Sequence, residues 1–133
     1  MSKPAELIPI LFPLGSVPRG GTLTLETSLE TSAVRVPLHV EIAKLRGVRF
    51  PKLVVDVLQV EDVLIGRDSL FASAGQREPI PAAAFHLAAL GEVACFDMRR
   101  DTLLQIRLRN LSGEEVEVAV AFDVEDASRR EKC

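Results

Sequence analysis

The stretch Leu104-Gln-Ile-Arg-Leu-Arg-Asn-Leu-Ser-Gly-Glu-Glu-Val-Glu-Val-Ala-Val-Ala-Phe-Asp-Val-Glu125 decides the fold class. Leu104, Ile106 and Leu108 alternate with Gln105, Arg107 and Arg109. Val116, Val118, Val120, Phe122 and Val124 alternate with Glu117, Ala119, Ala121, Asp123 and Glu125. A period of two places each set on one face of an extended chain, so both segments read as half-buried β-strands. Between them, Asn110-Leu-Ser-Gly-Glu-Glu115 is rich in turn formers, and Gly113 can take the positive φ that a hairpin turn favours. The expectation is a hairpin, with Arg107 and Arg109 facing Glu117 and Asp123 on its wet face.

Working outward, the same signature recurs. Leu23, Leu25 and Leu29 share a face in residues 22–29, and Val34, Val36, Leu38, Val40 and Ile42 share one in residues 34–42. Pro37 lacks an N–H and so belongs at an edge or a bulge. Residues 53–60, Leu-Val-Val-Asp-Val-Leu-Gln-Val, are apolar on both faces and predict a strand covered on both sides or crossing a subunit contact. Glu61 and Asp62 then break the run before Val63-Leu-Ile65. Residues 93–98 read as a strand and residues 99–101 as a turn. The N-terminal Leu7-Ile-Pro-Ile-Leu-Phe-Pro-Leu14 is apolar, but two prolines confine it to an edge strand or an extended arm.

Residues 68–85 interrupt the alternation. Pro79 and Pro81 forbid a helix through that point, yet Pro81 can begin one. A turn or two of helix from Pro81 to about Leu90, stopped by Gly91, is expected, with Phe85 and Leu90 plugging the open end of a sandwich. Together these elements predict an all-β, antiparallel β-sandwich, jelly-roll-like, of about eight strands, with one short helix in a long inter-sheet connection. An Ig-like order of strands is the other leading topology. The organisation expected is an arm or edge strand over residues 1–21, the sandwich over 22–126 and a flexible tail over 127–133.

The 133 residues suffice for one domain with a real core. Net charge is −3, which argues against a non-specific nucleic-acid binder, since phosphate neutralisation needs an excess of Lys and Arg. The basic cluster Ser128-Arg-Arg-Glu-Lys-Cys133 reads as a solvated tail. No apolar run reaches the length of a membrane span, and the proline-broken N-terminus makes a poor signal peptide. Cys95 reads as a small core residue and Cys133 as terminal; a disulfide between them is left open. With so few cysteines, a reducing compartment is expected, cytoplasmic or inside a virion. Trp and Tyr are absent, which weakens any reading as a sugar- or base-stacking module.

Candidate chemistry is sparse. His39 lies on a polar strand face and His86 follows Phe85; no metal-ligand spacing occurs, so no metal and no cofactor are expected. Asp56, Glu61 and Asp62 could be paired carboxylates for glycoside chemistry, but surface acids are the simpler reading. Ser16, Ser69 and Ser73 lack the glycine elbow of a serine nucleophile and read as turn residues. Arg19-Gly20-Gly21 precedes a strand rather than a helix, so it lacks the geometry of a phosphate cradle. The chain is not expected to be an enzyme.

Several short motifs carry a resemblance. They are Val63-Leu-Ile-Gly-Arg-Asp-Ser-Leu-Phe71, Ala74-Gly75, Pro79-Ile-Pro-Ala82 with Phe85, Asn110-Leu-Ser-Gly113 and Phe12-Pro-Leu-Gly-Ser16. In these the chain resembles phage-type single-jelly-roll β-sandwich virion proteins, the subunits of capsids and shells. The resemblance implies a structural, self-assembling subunit with no catalysis, whose partners are copies of itself and other shell proteins. Such a subunit needs strand edges, an arm and apolar contact residues; Ile8, Ile10, Phe12, Leu14, Val54 and Leu58 are the ones expected. No basic arm is present, so direct contact with a genome is not implied. The alternative is a ligand-binding sandwich module for a carbohydrate or small molecule.

Overall fold

The computed structural model describes residues 7–28, 42–91, 95–97, 99 and 102–127. The expected strand over 34–42 lies outside these residues save for Ile42, as do Cys133 and the tail beyond Ala127. The described chain is an all-β, antiparallel sandwich with one short α-helix, as the alternation predicts. One sheet runs in the order β1 (Leu7–Leu11), β11 (Ala121–Asp126), β4 (Ile42–Arg49), β8 (Phe96–Asp97). The facing sheet runs β3 (Thr22–Thr27), β9 (Leu104–Asn110), β5 (Leu58–Ile65), β6 (Asp68–Ser69), with β7 (Ile80–Pro81) also on β5. A small ladder of β2 (Gly15–Val17) and β10 (Val116–Val118) joins them. The inward rows of both large sheets form one core, in which Ile10, Leu45, Phe122 and Val124 meet Leu25, Val60, Ile106 and Leu108.

The strands of residues 104–125 exist, but the expected hairpin does not. β9 is occupied on both sides, by β3 and by β5, so neither of its edges is free to pair with the next strand. The chain therefore crosses over: β10 pairs with β2, and β11 with β1 and β4. Gly113 does not adopt a positive φ. Asn110 shapes the crossing instead. Its buried amide donates to the carbonyls of Val17 (3.1 Å) and Glu114 (2.6 Å), and its Oδ1 accepts from the Ser112 N–H and hydroxyl. The expected cross-strand charges are redistributed: Arg107 lies 3.5 Å from Glu61, and Asp123 pairs with Arg49.

Residues 53–60 are also corrected. Leu53 to Val57 are not strand but consecutive turns, with Val54 N–H bonded to Pro51 O and Val57 N–H to Val54 O. The strand starts at Leu58 and runs unbroken to Ile65, so Glu61 and Asp62 do not end it. They sit where its register on β9 shifts between Val60 and Asp62, an irregularity of the bulge type that absorbs one extra residue.

In the connection, the α-helix α1 lies earlier than expected, at Leu70–Ala74. Ser69 caps its start, accepting from the Ala72 N–H, and Gly75 ends it at φ 72°. Gly75 N–H bonds Ala72 O while Gln76 N–H bonds Phe71 O, the paired pattern of a Schellman ending. From Pro81 onward there are two 3-10 turns, Ala82–Ala84 and Leu87–Leu90, the second ended by Gly91 at φ 83°. Phe85 and Leu90 are buried as expected, and Phe85 packs between Phe50 and Phe71.

Candidate functional site

Among the described residues β1 is the outer strand of its sheet, and its register fixes which way its backbone points. Phe12 N–H bonds Val120 O, which makes Phe12 and Val120 a hydrogen-bonded pair. With Ile10 opposite Phe122 and Ile8 opposite Val124, alternate positions 8, 10 and 12 bond inward and 7, 9 and 11 face the open edge. Pro9 thus falls where no N–H is needed for the ladder, and its ring removes a donor from the exposed edge.

Of the six expected contact residues, Ile10, Phe12 and Leu58 are buried in the chain's own core and are not available to a partner. For Ile10 and Phe12 the reason is the pairing of β1 on β11, which sets the row of residues 8, 10 and 12 toward the core, while Leu58 opens β5 in the facing sheet, opposite the buried Asn110. Ile8 and Val54 are half-buried against the core, and Leu14 is exposed. The residues missed are Leu11 and Leu53, 44% and 98% exposed. Their signal was available in part: Leu11 is out of phase with Ile8, Ile10 and Phe12, whereas Leu53 becomes visible only once residues 53–57 are known to be turns.

Leu11 lines an apolar groove of about 270 Å³ together with Phe12, Phe50, Pro51 and the segment Ala119–Ala121, with Arg49 at its side. Leu14 follows two residues after Phe12, and Leu53 two after Pro51. Arg49 donates to Asp123 at 2.9 Å, so its charge is already engaged.

Among the described residues the candidate catalytic groups meet only as the pair Ser69 and Asp62 and do not gather into one site. Ser69 donates to both oxygens of Asp62, at 2.8 and 2.7 Å, while capping α1. Asp62 also accepts from its neighbour's N–H, that of Val63 at 2.8 Å. Ser16 donates to Glu115 at 2.6 Å. Glu61 Oε1 is shielded from water without a hydrogen bond and faces Arg107. Asp56, Ser73 and His86 are exposed, and His39 lies outside the described residues. Arg19-Gly20-Gly21 forms a turn closed by Gly21 N–H to Pro18 O. Among the described residues no three of His, Cys, Asp and Glu gather as metal ligands. No helix among them is long and apolar enough to cross a membrane. Cys95 is half-buried and disulfide-bonded, so it is not the free core thiol that its apolar surroundings suggest.

No protein family, curated protein or solved structure matches this chain.

Proposed function

We propose that the chain is a structural subunit without catalysis, a β-sandwich that assembles with copies of itself into a virion capsid or similar protein shell. The observation that carries this reading is the apolar groove at one end of the β1 sheet, lined by the exposed Leu11, with Leu14 and Leu53 exposed two residues along the chain from its lining residues Phe12 and Pro51. Leu53, 98% exposed in a hydrogen-bonded turn, leaves its apolar side chain in water in the isolated chain. Burial against a neighbour would recover roughly 25 cal/mol for each Å² of apolar surface removed from water. Contiguous exposed apolar surface marks contact sites on soluble proteins, and the groove with Leu11 on its wall supplies a piece of it. The resemblance to jelly-roll virion proteins agrees with it.

The groove also admits the second reading, a small-molecule module. Binding sites orient their ligands with a few convergent polar groups. Among the described residues that line it the charged one is Arg49, committed to Asp123, so the first reading is favoured. The test is light scattering with electron microscopy of the purified protein over a range of concentration. Ordered oligomers or particles are expected; a monomer at every concentration overturns the proposal.

A further inference from the structure

Among the described residues β3 is the outer strand of the other sheet, and unlike β1 it carries no proline. Asn110 N–H bonds Gly21 O, so Gly21 and Asn110 are a hydrogen-bonded pair. By the register, Leu23, Leu25 and Thr27 bond inward to β9, and the backbone groups of Thr22, Thr24 and Glu26 point outward. No proline, lysine or bulge interrupts this outer row, and its side chains are exposed. Native proteins guard such rows because they are templates for another strand. Pro9 takes that role on β1, whereas among the described residues no strand pairs with the outer edge of β3.

We infer that the outer edge of β3 pairs with the same edge of a second copy, antiparallel about a two-fold axis at Thr24. This rests on the self-assembly reading but uses a different sheet and different residues from the apolar groove. The sequence of β3 is self-complementary in that register. Thr24 meets Thr24 of the second copy, and Thr22 meets Glu26, so the outward backbone groups exchange bonds in pairs. On the inner face Leu23, half-buried in one copy, meets Leu25 of the other, which extends the apolar row across the junction. On the outer face one row then reads Gln105, Glu26, Thr22, Arg109, the last two from the second copy. Glu26 already accepts from Gln105 at 2.6 Å. Arg109 is exposed, opposite Thr22, and its guanidinium has reach enough over the small Thr22 to approach the neighbour's Glu26. Within one copy Glu26 and Arg109 are four β3 positions apart, so their charges complement each other between copies.

The test compares dimer dissociation constants of the full chain by analytical ultracentrifugation. Thr24→Pro removes an outward N–H that β9 does not use, so the sandwich should persist by circular dichroism while dimerisation weakens about tenfold or more. Glu26→Arg should weaken it about threefold, and Glu26→Arg with Arg109→Glu should restore it, an exchange that a purely structural role would not produce. Leu53→Asp should leave this dimer in place. An unchanged constant in Thr24→Pro, a double exchange that fails to recover, or hydrogen-exchange protection of the 22, 24 and 26 amides in dilute monomer overturns the inference. If Leu53→Asp alone abolishes association, self-assembly stands and the β3 edge is not its route.

Discussion

The Ser69 hydroxyl bridges both oxygens of the Asp62 carboxylate while accepting the Ala72 N–H that opens α1. One side chain thereby ties a short helix to the strand behind it, and Asp62 adds the Phe71 N–H at 3.4 Å. The hydroxyl donates to the acid as in a serine–carboxylate dyad, but its oxygen is at the same time spent as the cap of α1. Ser69→Ala should cost about 1 kcal/mol, the worth of a helix cap. Asp62→Ala should cost about 2 kcal/mol, because it strips the hydroxyl and backbone donors of their acceptor at once. Urea denaturation measures both. A double mutant costing clearly less than the sum would show that the two act as one unit.

Asn110 should tolerate even less. Its amide nitrogen faces two carbonyl oxygens, and it is fully buried. Asn110→Asp keeps the shape but replaces the donor with a third oxygen, so roughly 3 kcal/mol or more of stability should be lost at neutral pH. Asn110→Ala should cost about 2 kcal/mol by leaving those carbonyls unanswered. Thermal denaturation of the two variants, ranked Asp below Ala, checks this. The opposite ranking would mean that the crossing loop rearranges to admit water.

Which residues form strands was legible, because a strand with one buried face must alternate. Leu104, Ile106, Leu108, Val118, Val120, Phe122 and Val124 are all buried, in phase with the pattern. Which strands pair was not. The alternation of residues 116–125 runs on without a break, yet the chain leaves β10 at Val118 and enters a different sheet at Ala121. Side-chain period reports which face is buried and says nothing of which neighbour takes the backbone. The same limit explains Leu53 to Val57, where an apolar run serves turns against the core as readily as a strand. It also explains Glu61, where the extra residue of a bulge has no local signature. For the candidate site, the apolar N-terminal segment was visible as important, but its phase separates the buried Ile10 and Phe12 from the exposed Leu11 only once β1 is placed on β11, and Leu14, in phase with the buried row, is exposed beyond the end of β1.

The core beneath the groove has a clear keystone. The Phe12 ring meets Phe122 edge-on with centroids 4.6 Å apart, and both rings are buried. Phe122 is in the central part of its sheet, between β1 and β4, so its removal opens a void that both neighbours line. Phe122→Ala should cost about 3–5 kcal/mol, and Phe122→Leu distinctly less. The denaturant midpoint should fall with an unchanged slope if the native state stays compact. An altered slope in Phe122→Ala would show that β1 comes away from the sheet.

Glycine replacement separates the observed crossing from a hairpin at the same residues. A hairpin turn would hold Gly113 at positive φ, where an added Cβ is strained. In the structure Gly113 is outside that region, with open space where a Cβ would stand. Gly113→Ala should therefore be neutral or stabilising by up to about 1 kcal/mol, since alanine narrows the freedom of the unfolded chain. Gly75 also has open space for a Cβ, but its φ is 72° at the end of α1. Gly75→Ala should destabilise by about 1 kcal/mol through backbone strain alone. The two variants add the same methyl group to exposed sites, so the sign of the difference between them, read from denaturation midpoints, isolates backbone conformation. Equal losses in both would place Gly113 in a left-handed turn and return residues 104–118 to a hairpin.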